Sequence, residues 1–389
     1  MPKTALIFGG GFGGLESAIT LAKGGLDVTL VSNREFLFLY PTSIWVPTGE
    51  ASIADVKLDL ADVARRHGFK FRKGALQSFD GPGRKAVVDG EELTADYLVL
   101  AVGAGKTKPK GVEHTHTICG EPDATEHFRD ALQALVAKEG KGRIAMGFGG
   151  NPNDPSAVRG GPAFEMMFNV DTWLRRLGAR ERFELAFFAP MPVPGARMGE
   201  KAVQAVGKLF GKLGVEQRYG KKITEFESKA VVFEDGSRLE ADLVMFIAAG
   251  DGHPALRASG LPLNAAGFVK IDSGCAVPGF ENIYVVGDSA ALEGPEFRAK
   301  QGHVTEAMAR VAAANILAHA QGRPERESYL PHVNILCVMD MGNGAAWVSR
   351  TEQKQRMVAM PVFGHWMKKG WGTYFKMSKK GQVPRIPGM

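Results

Sequence analysis

Six residues near the start of the chain, Gly9, Gly10, Gly11, Phe12, Gly13 and Gly14, are the ones best suited to chemistry. Gly9, Gly11 and Gly14 keep the spacing G-x-G-x-x-G between a short apolar run and a helix-forming run. In that setting the first glycine makes a tight turn and the second lets backbone approach a pyrophosphate. The third lets helix and strand pack closely, while the helix N-terminus offers N–H donors to phosphate charge. A dinucleotide is the expected ligand. The position after the second strand usually carries an acid that reads the adenosine ribose. Here it is Ser32, followed by Asn33, which can bond ribose hydroxyls without charge.

A strand over residues 5–8, a helix over 15–23 and a strand over 27–31 must position this loop. The aromatic segment 36–40 reads as a loop, 57–67 as an amphipathic helix and 68–73 as a strand. A hairpin around Asp89-Gly90 leads to an apolar strand over 96–103. It ends in small residues at Gly103, where a ligand can come close. The same series repeats from residue 143: strand, helix over 164–177, strand, helix over 201–213, hairpin, and strand over 241–250. The repetition predicts an α/β protein with two Rossmann-like dinucleotide-binding domains.

The second loop differs. It reads Gly147-Phe148-Gly149-Gly150-Asn151-Pro152-Asn153-Asp154-Pro155-Ser156, with two prolines and polar residues where a helix should begin. Without a helix N-terminus facing a pyrophosphate, a nicotinamide dinucleotide is not expected there. Further on, a strand over 282–286 ends at Gly287-Asp288 before a helix over 305–319. Asp288 alone reads as a helix N-cap. Together with the first loop it suits a polyol chain and points to a flavin dinucleotide.

Composition sets the class. A chain of 389 residues, 44% hydrophobic with 49 glycines, is long enough for two globular domains rich in turns. Cys119, Cys275 and Cys337 lie far apart, so neither a disulfide scaffold nor a C-x-x-C metal pair is expected. No secretory signal precedes the first strand and no apolar run of about 18 residues occurs, which predicts a cytoplasmic protein. The net charge is +6. Residues 353–389 hold eight basic residues and no acid, so the remainder is at −2. Phe363, Trp366, Met367, Gly370, Trp371, Tyr374 and Phe375 follow helical spacing in this tail, flanked or opposed by Lys368, Lys369, Lys376, Lys379 and Lys380. The pattern predicts an amphipathic helix over 363–380 lying on a membrane surface, and no nucleic-acid contact.

Together these residues resemble the sulfide:quinone oxidoreductase branch of the two-dinucleotide-domain flavoproteins (glutathione-reductase-like). Flavocytochrome c sulfide dehydrogenases and type II NADH dehydrogenases are cousins. The likeness spans essentially the whole chain. It rests on Val28-Thr29-Leu30-Val31-Ser32, Tyr40-Pro41, Thr117-Ile118-Cys119, Gly161-Pro162-Ala163-Phe164-Glu165, Gly287-Asp288, Lys300-Gln301-Gly302, Ile335-Leu336-Cys337 and Asp340-Met341-Gly342. It implies an FAD domain over residues 1–113 and 270–330, a degenerate second domain over 114–269 and a membrane-associating region over 331–389. FAD would be held by Gly9 to Gly14, Ser32, Asn33, Gly103 and Asp288. Lys300 would stabilise the anionic reduced flavin from its pyrimidine end.

The same resemblance implies that a reduced sulfur compound reduces the flavin on one face, with Cys337 and Cys119 as redox cysteines and Glu165 as proton acceptor. A membrane quinone would reoxidise it, approaching beside Trp366, Trp371, Tyr374 and Phe375. The chain departs from the family at Arg159 and Gly160, where a cysteine precedes the Gly-Pro-Ala segment, and near Asp123 and Arg197, where histidines are usual. An NADH:quinone reductase and a flavin-binding subunit without sulfide turnover are the alternatives. The expected location is the cytoplasmic side of a membrane, as a peripheral protein, with a homo-oligomer left open. Loss of the tail is expected to leave FAD bound.

Overall fold

Segments such as Ala5-Leu6-Ile7-Phe8 and Tyr97-Leu98-Val99-Leu100 are apolar on both faces, which suits strands covered by helices on either side. In the computed structural model, which describes residues 1–324 and 326–386, they join one sheet of five parallel strands. Its order is Ile283–Val285, Tyr97–Leu100, Thr4–Phe8, Asp27–Ser32, Lys70–Lys73. A second sheet of four parallel strands has the order Val215–Tyr219, Phe183–Ala189, Gly142–Phe148, Leu243–Ile247. The helices longer than a single turn are, in chain order, α1 (Phe12–Lys23), α2 (Leu60–His67), α3 (Pro122–Ala134), α4 (Gly161–Arg176), α5 (Glu200–Leu213), α6 (Gly302–Ala320) and α7 (Phe363–Lys379).

The duplication is real in three dimensions. Each copy adds a three-stranded antiparallel unit, Leu76–Asp80 with Lys85–Val88 and Glu91–Leu93 in the first, Ile223–Glu227 with Ala230–Phe233 and Arg238–Glu240 in the second. The short strands Gly105–Lys106 and Gly250–Asp251, one from each copy, pair antiparallel and bring the two copies together. Phenylalanines fill the second core, where Phe164 and Phe187 stack with centroids 4.7 Å apart.

Three expectations need correction. Residues 36–40 are not a loop: Phe36–Phe38 pairs with Lys57–Asp59, and Tyr40–Ser43 forms one helical turn. Helix α2 therefore starts at Leu60, with the Asp59 side chain accepting a hydrogen bond from the Asp62 N–H as its cap. The C-terminal region holds an unforeseen antiparallel sheet of Ile335–Asp340, Gly344–Arg350 and Gln355–Pro361 before its helix. Its first strand is a continuous apolar run, which periodicity cannot assign.

The tail helix forms where expected, but two of its lysines turn inward and its aromatics divide between an exposed and a buried side. Lys368 and Lys379 are each 5% exposed, whereas Phe363 and Trp366 are 68% and 64% exposed. The cause is a set of internal acids that draw the basic residues inward. Lys368 pairs with Glu165, Lys369 with Glu50, Lys379 with Glu16 and Glu306, and Lys380 with Asp62. Among the described residues no helix is long and apolar enough to cross a membrane.

Candidate functional site

The glycines of the first loop divide their roles as their spacing predicts. Gly9 has φ +111°, and a Cβ there would overlap the Ala101 carbonyl. A Cβ on Gly14 would overlap the Gly9 carbonyl, so these two fix strand against helix. A Cβ on Gly11 would meet nothing within 4 Å. That open space at the N-terminus of α1 fits a pyrophosphate. Gly103, at φ +79°, also faces open space at the end of its strand. Ser32 is buried, and its hydroxyl accepts from the Arg34 N–H at 3.2 Å, while Asn33 is exposed. Arg34 was not foreseen: it reaches the Gly120 carbonyl at 3.4 Å and Glu121 at 3.7 Å.

Asp288 lies in the turn Gly287–Ser289, and its carboxylate is paired with Arg159, the residue standing in the family's cysteine position. Lys300 donates to the carbonyls of Asp288, at 3.1 Å, and Ala290, and lies 3.7 Å above the Phe268 ring. Burial pushes its pKa down to about 7, with Arg159 adding to the effect and Asp154 opposing it. Lys106, on the strand joining the copies, is lowered to about 8 by burial and by Arg159. Arg197 anchors the intervening loop through the carbonyls of Pro155 at 3.0 Å, Val158 at 2.6 Å and Arg298 at 3.1 Å. Arg159 and Lys300 therefore both reach Asp288, one at its carboxylate and one at its carbonyl, and positive charge there would favour an anionic reduced flavin.

Cys337 lies on Ile335–Asp340, and burial pushes its thiol up to about 12, with Glu165 adding to the rise. Glu165 is buried; it accepts from the Asp340 N–H at 2.7 Å and pairs with Lys368. Burial raises its pKa, against the pull of Lys368. Asp340 in turn meets His365 Nδ1 at 2.7 Å, and His365 Nε2 meets Glu50 at 3.2 Å. These two carboxylates raise His365 to about 9. Cys119 is half-buried beside Lys106 and borders the same apolar core as Cys337. Cys275 is buried, with its Sγ donating to the Met308 carbonyl at 3.6 Å. Among the described residues no group of acids, histidines and cysteines could hold a metal.

The four aromatics expected to receive a quinone do not share a face. Trp366 is exposed, while Trp371 is half-buried with its ring 5.4 Å from Phe375. Phe375 is buried and lies 5.2 Å from Phe12 of the glycine loop. Tyr374 donates to the Pro384 carbonyl at 3.2 Å and accepts from the Ile386 N–H. The inward ion pairs of α7 separate them. The exposed apolar group is instead Val358, Val362, Phe363 and Trp366. Val362 holds φ +55°, a strained conformation for a β-branched residue at the junction of sheet and helix.

In the second copy the loop is held by hydrogen bonds to itself and to a neighbouring strand. Asn151 donates to the Gly250 carbonyl at 2.9 Å, Asp154 caps the turn Pro155–Ala157, and α4 starts only at Gly161.

Comparison with known proteins agrees with the duplicated architecture. The family described as pyridine nucleotide-disulphide oxidoreductase matches residues 3–315. Type II NADH:quinone oxidoreductase Ndh of Mycobacterium tuberculosis is 26% identical over 329 residues, covering 74% of this chain and 67% of that protein. Among solved structures, the sulfide:quinone oxidoreductase of Aquifex aeolicus superposes with TM-score 0.87 at 22% identity, covering 99% of this chain and 93% of that one. NDH2 of Plasmodium falciparum, in complex with NADH, gives TM-score 0.75 at 11% identity with both chains fully covered.

Proposed function

The chain belongs to the pyridine nucleotide-disulphide oxidoreductase family, whose members bind FAD, and from that premise we propose that it is a quinone reductase fed by a small reduced sulfur compound. FAD supplies the two-electron relay between donor and quinone. The observation that carries the choice of donor is the self-bonded loop of the second copy. Residues 151–160, with Asn151 bonded to the Gly250 carbonyl and Asp154 capping a short turn, separate its glycines from the start of α4, whereas α1 follows the first loop at once.

Cys337 is the sulfur-handling residue in this reading. Hydrosulfide, the Cys337 thiol, quinone and one proton become a Cys337 persulfide and quinol, which balances two electrons and three hydrogens. Glu165, buried and bonded to the Asp340 N–H on the strand that carries Cys337, is the base assigned to the thiol proton. Cys119, beside Lys106, serves as the second sulfur site in place of the cysteine replaced by Arg159. Lys300, held by two backbone carbonyls, stabilises the negative charge of the reduced cofactor.

Quinone arrives from a membrane on the cytoplasmic side, where Val358, Val362, Phe363 and Trp366 dock the protein as a peripheral one. Reconstituted on liposomes, the native protein should reduce a long-chain quinone with sulfide. Cys337→Ala should retain FAD and lose this turnover by about a thousandfold, the scale of removing a nucleophile. Native turnover in Cys337→Ala removes the sulfur reading. The resemblance in sequence to Ndh keeps an NADH:quinone reductase as a second reading.

A further inference from the structure

Glu16 and Glu306 occupy matching places, each the fifth residue of its helix, α1 and α6. The first helix begins at the pyrophosphate loop, and the second follows the Gly287-Asp288 turn. Both carboxylates are buried in the FAD-binding copy. Their partners come from the far end of the chain. Lys379 pairs with Glu16 and, at 2.5 Å, with Glu306. Arg385 pairs with Glu16 and, at 2.9 Å, with Glu306, and Arg310 reaches Glu16 at 3.3 Å.

Further contacts hold the tail in this position. The Lys379 carbonyl meets His67 Nε2 at 2.8 Å, and Tyr374 bonds Pro384 and Ile386. Phe375 packs on Phe12, inside the glycine loop itself. Without Lys379 and Arg385, two carboxylates against one remaining arginine would lie buried behind the loop that must receive a pyrophosphate. A buried charge left without partners is costly and repels like charge strongly at low dielectric.

We propose that the C-terminal segment is a clamp on FAD: docking of residues 375–386 neutralises Glu16 and Glu306 behind the pyrophosphate loop and braces Phe12 within it. Cofactor retention and tail docking are then coupled, whatever the electron donor and whether or not a membrane is present. The inference rests only on FAD occupying the first loop.

The test is the dissociation constant of FAD, read from released-flavin fluorescence of the purified full chain, with folding followed by circular dichroism. Arg385→Ala, which removes a side chain about a third exposed, should weaken FAD binding about threefold, and Lys379→Met with Arg385→Ala at least tenfold, on the scale of an unpaired buried charge. Adding Glu16→Gln and Glu306→Gln to that pair should restore affinity to within about threefold, because the repelling charge is gone. Native affinity in the double variant, or no recovery in a folded quadruple variant, overturns the clamp. Should the double variant fail to fold, Arg385→Ala alone decides, and unchanged affinity there overturns it equally.

Discussion

Residues 9–14 and 147–156 leave equivalent strands of two sheets built in the same order, and both are rich in glycine. In the first loop Gly9 and Gly14 are fixed by backbone, Gly11 faces open space, and α1 begins at once. In the second, Gly147 and Gly149 press against Phe188 and Phe246, and a self-bonded loop intervenes before α4. Glycine content is therefore a poor guide to binding. The free helix N-terminus behind the glycines separates a dinucleotide site from a packed turn.

The largest expected effect sharpens this contrast within the first loop. Gly11→Val should fold and lose FAD affinity by at least about a hundredfold, because its side chain enters the space left for phosphate. Gly14→Val should fail to fold, because its Cβ meets the Gly9 carbonyl. In the second loop Gly150→Ala places a Cβ 3.3 Å from Pro190 and should leave FAD binding within about twofold. Flavin content and thermal melting of the three proteins decide the matter. A fully loaded Gly11→Val protein breaks the comparison.

A smaller effect concerns how α7 is held. His365 has a folded pKa of about 9, above its ordinary 6.5, because Asp340 and Glu50 favour its cation. Its stabilisation is fully present below pH 6.5 and is lost as pH rises through 9. We expect native stability to fall by on the order of 2 kcal/mol across that window, and His365→Gln to flatten the profile. Denaturant midpoints measured from pH 6 to 10 would show it; equal slopes in both proteins contradict it.

The smallest expected effect is at the surface. Trp366→Ala should weaken liposome binding by about 1 kcal/mol, since the ring is already partly covered. High salt should have little influence, because the lysines of α7 pair internally instead of facing lipid. Co-sedimentation with vesicles at low and high salt checks both, and a strong salt dependence would return the lysines to the membrane.

Local features were legible in the sequence because a motif's spacing or a short repeat of strand and helix carries them. The roles of Gly9, Gly11 and Gly14, the repeat of strands and hairpins, and the extent of α7 belong to this kind. The orientation of α7 was not legible, since Lys379 finds Glu16 across 363 positions and Lys368 finds Glu165 across 203. Helical periodicity gives the spacing of a face but not the direction in which it points. The same holds for Arg159, whose pairing with Asp288 could not be read from the missing cysteine. The tail that seemed separable from the cofactor is bonded to the helices that flank it.

In the proposed reaction electrons enter the flavin without a second dinucleotide. Anaerobic stopped-flow mixing of the FAD-loaded protein with sulfide, and separately with NADH at equal concentration, measures this directly through loss of the flavin absorbance. Bleaching by sulfide that is at least about a hundredfold faster than by NADH is the predicted result. Rapid bleaching by micromolar NADH, with sulfide inert, would contradict it.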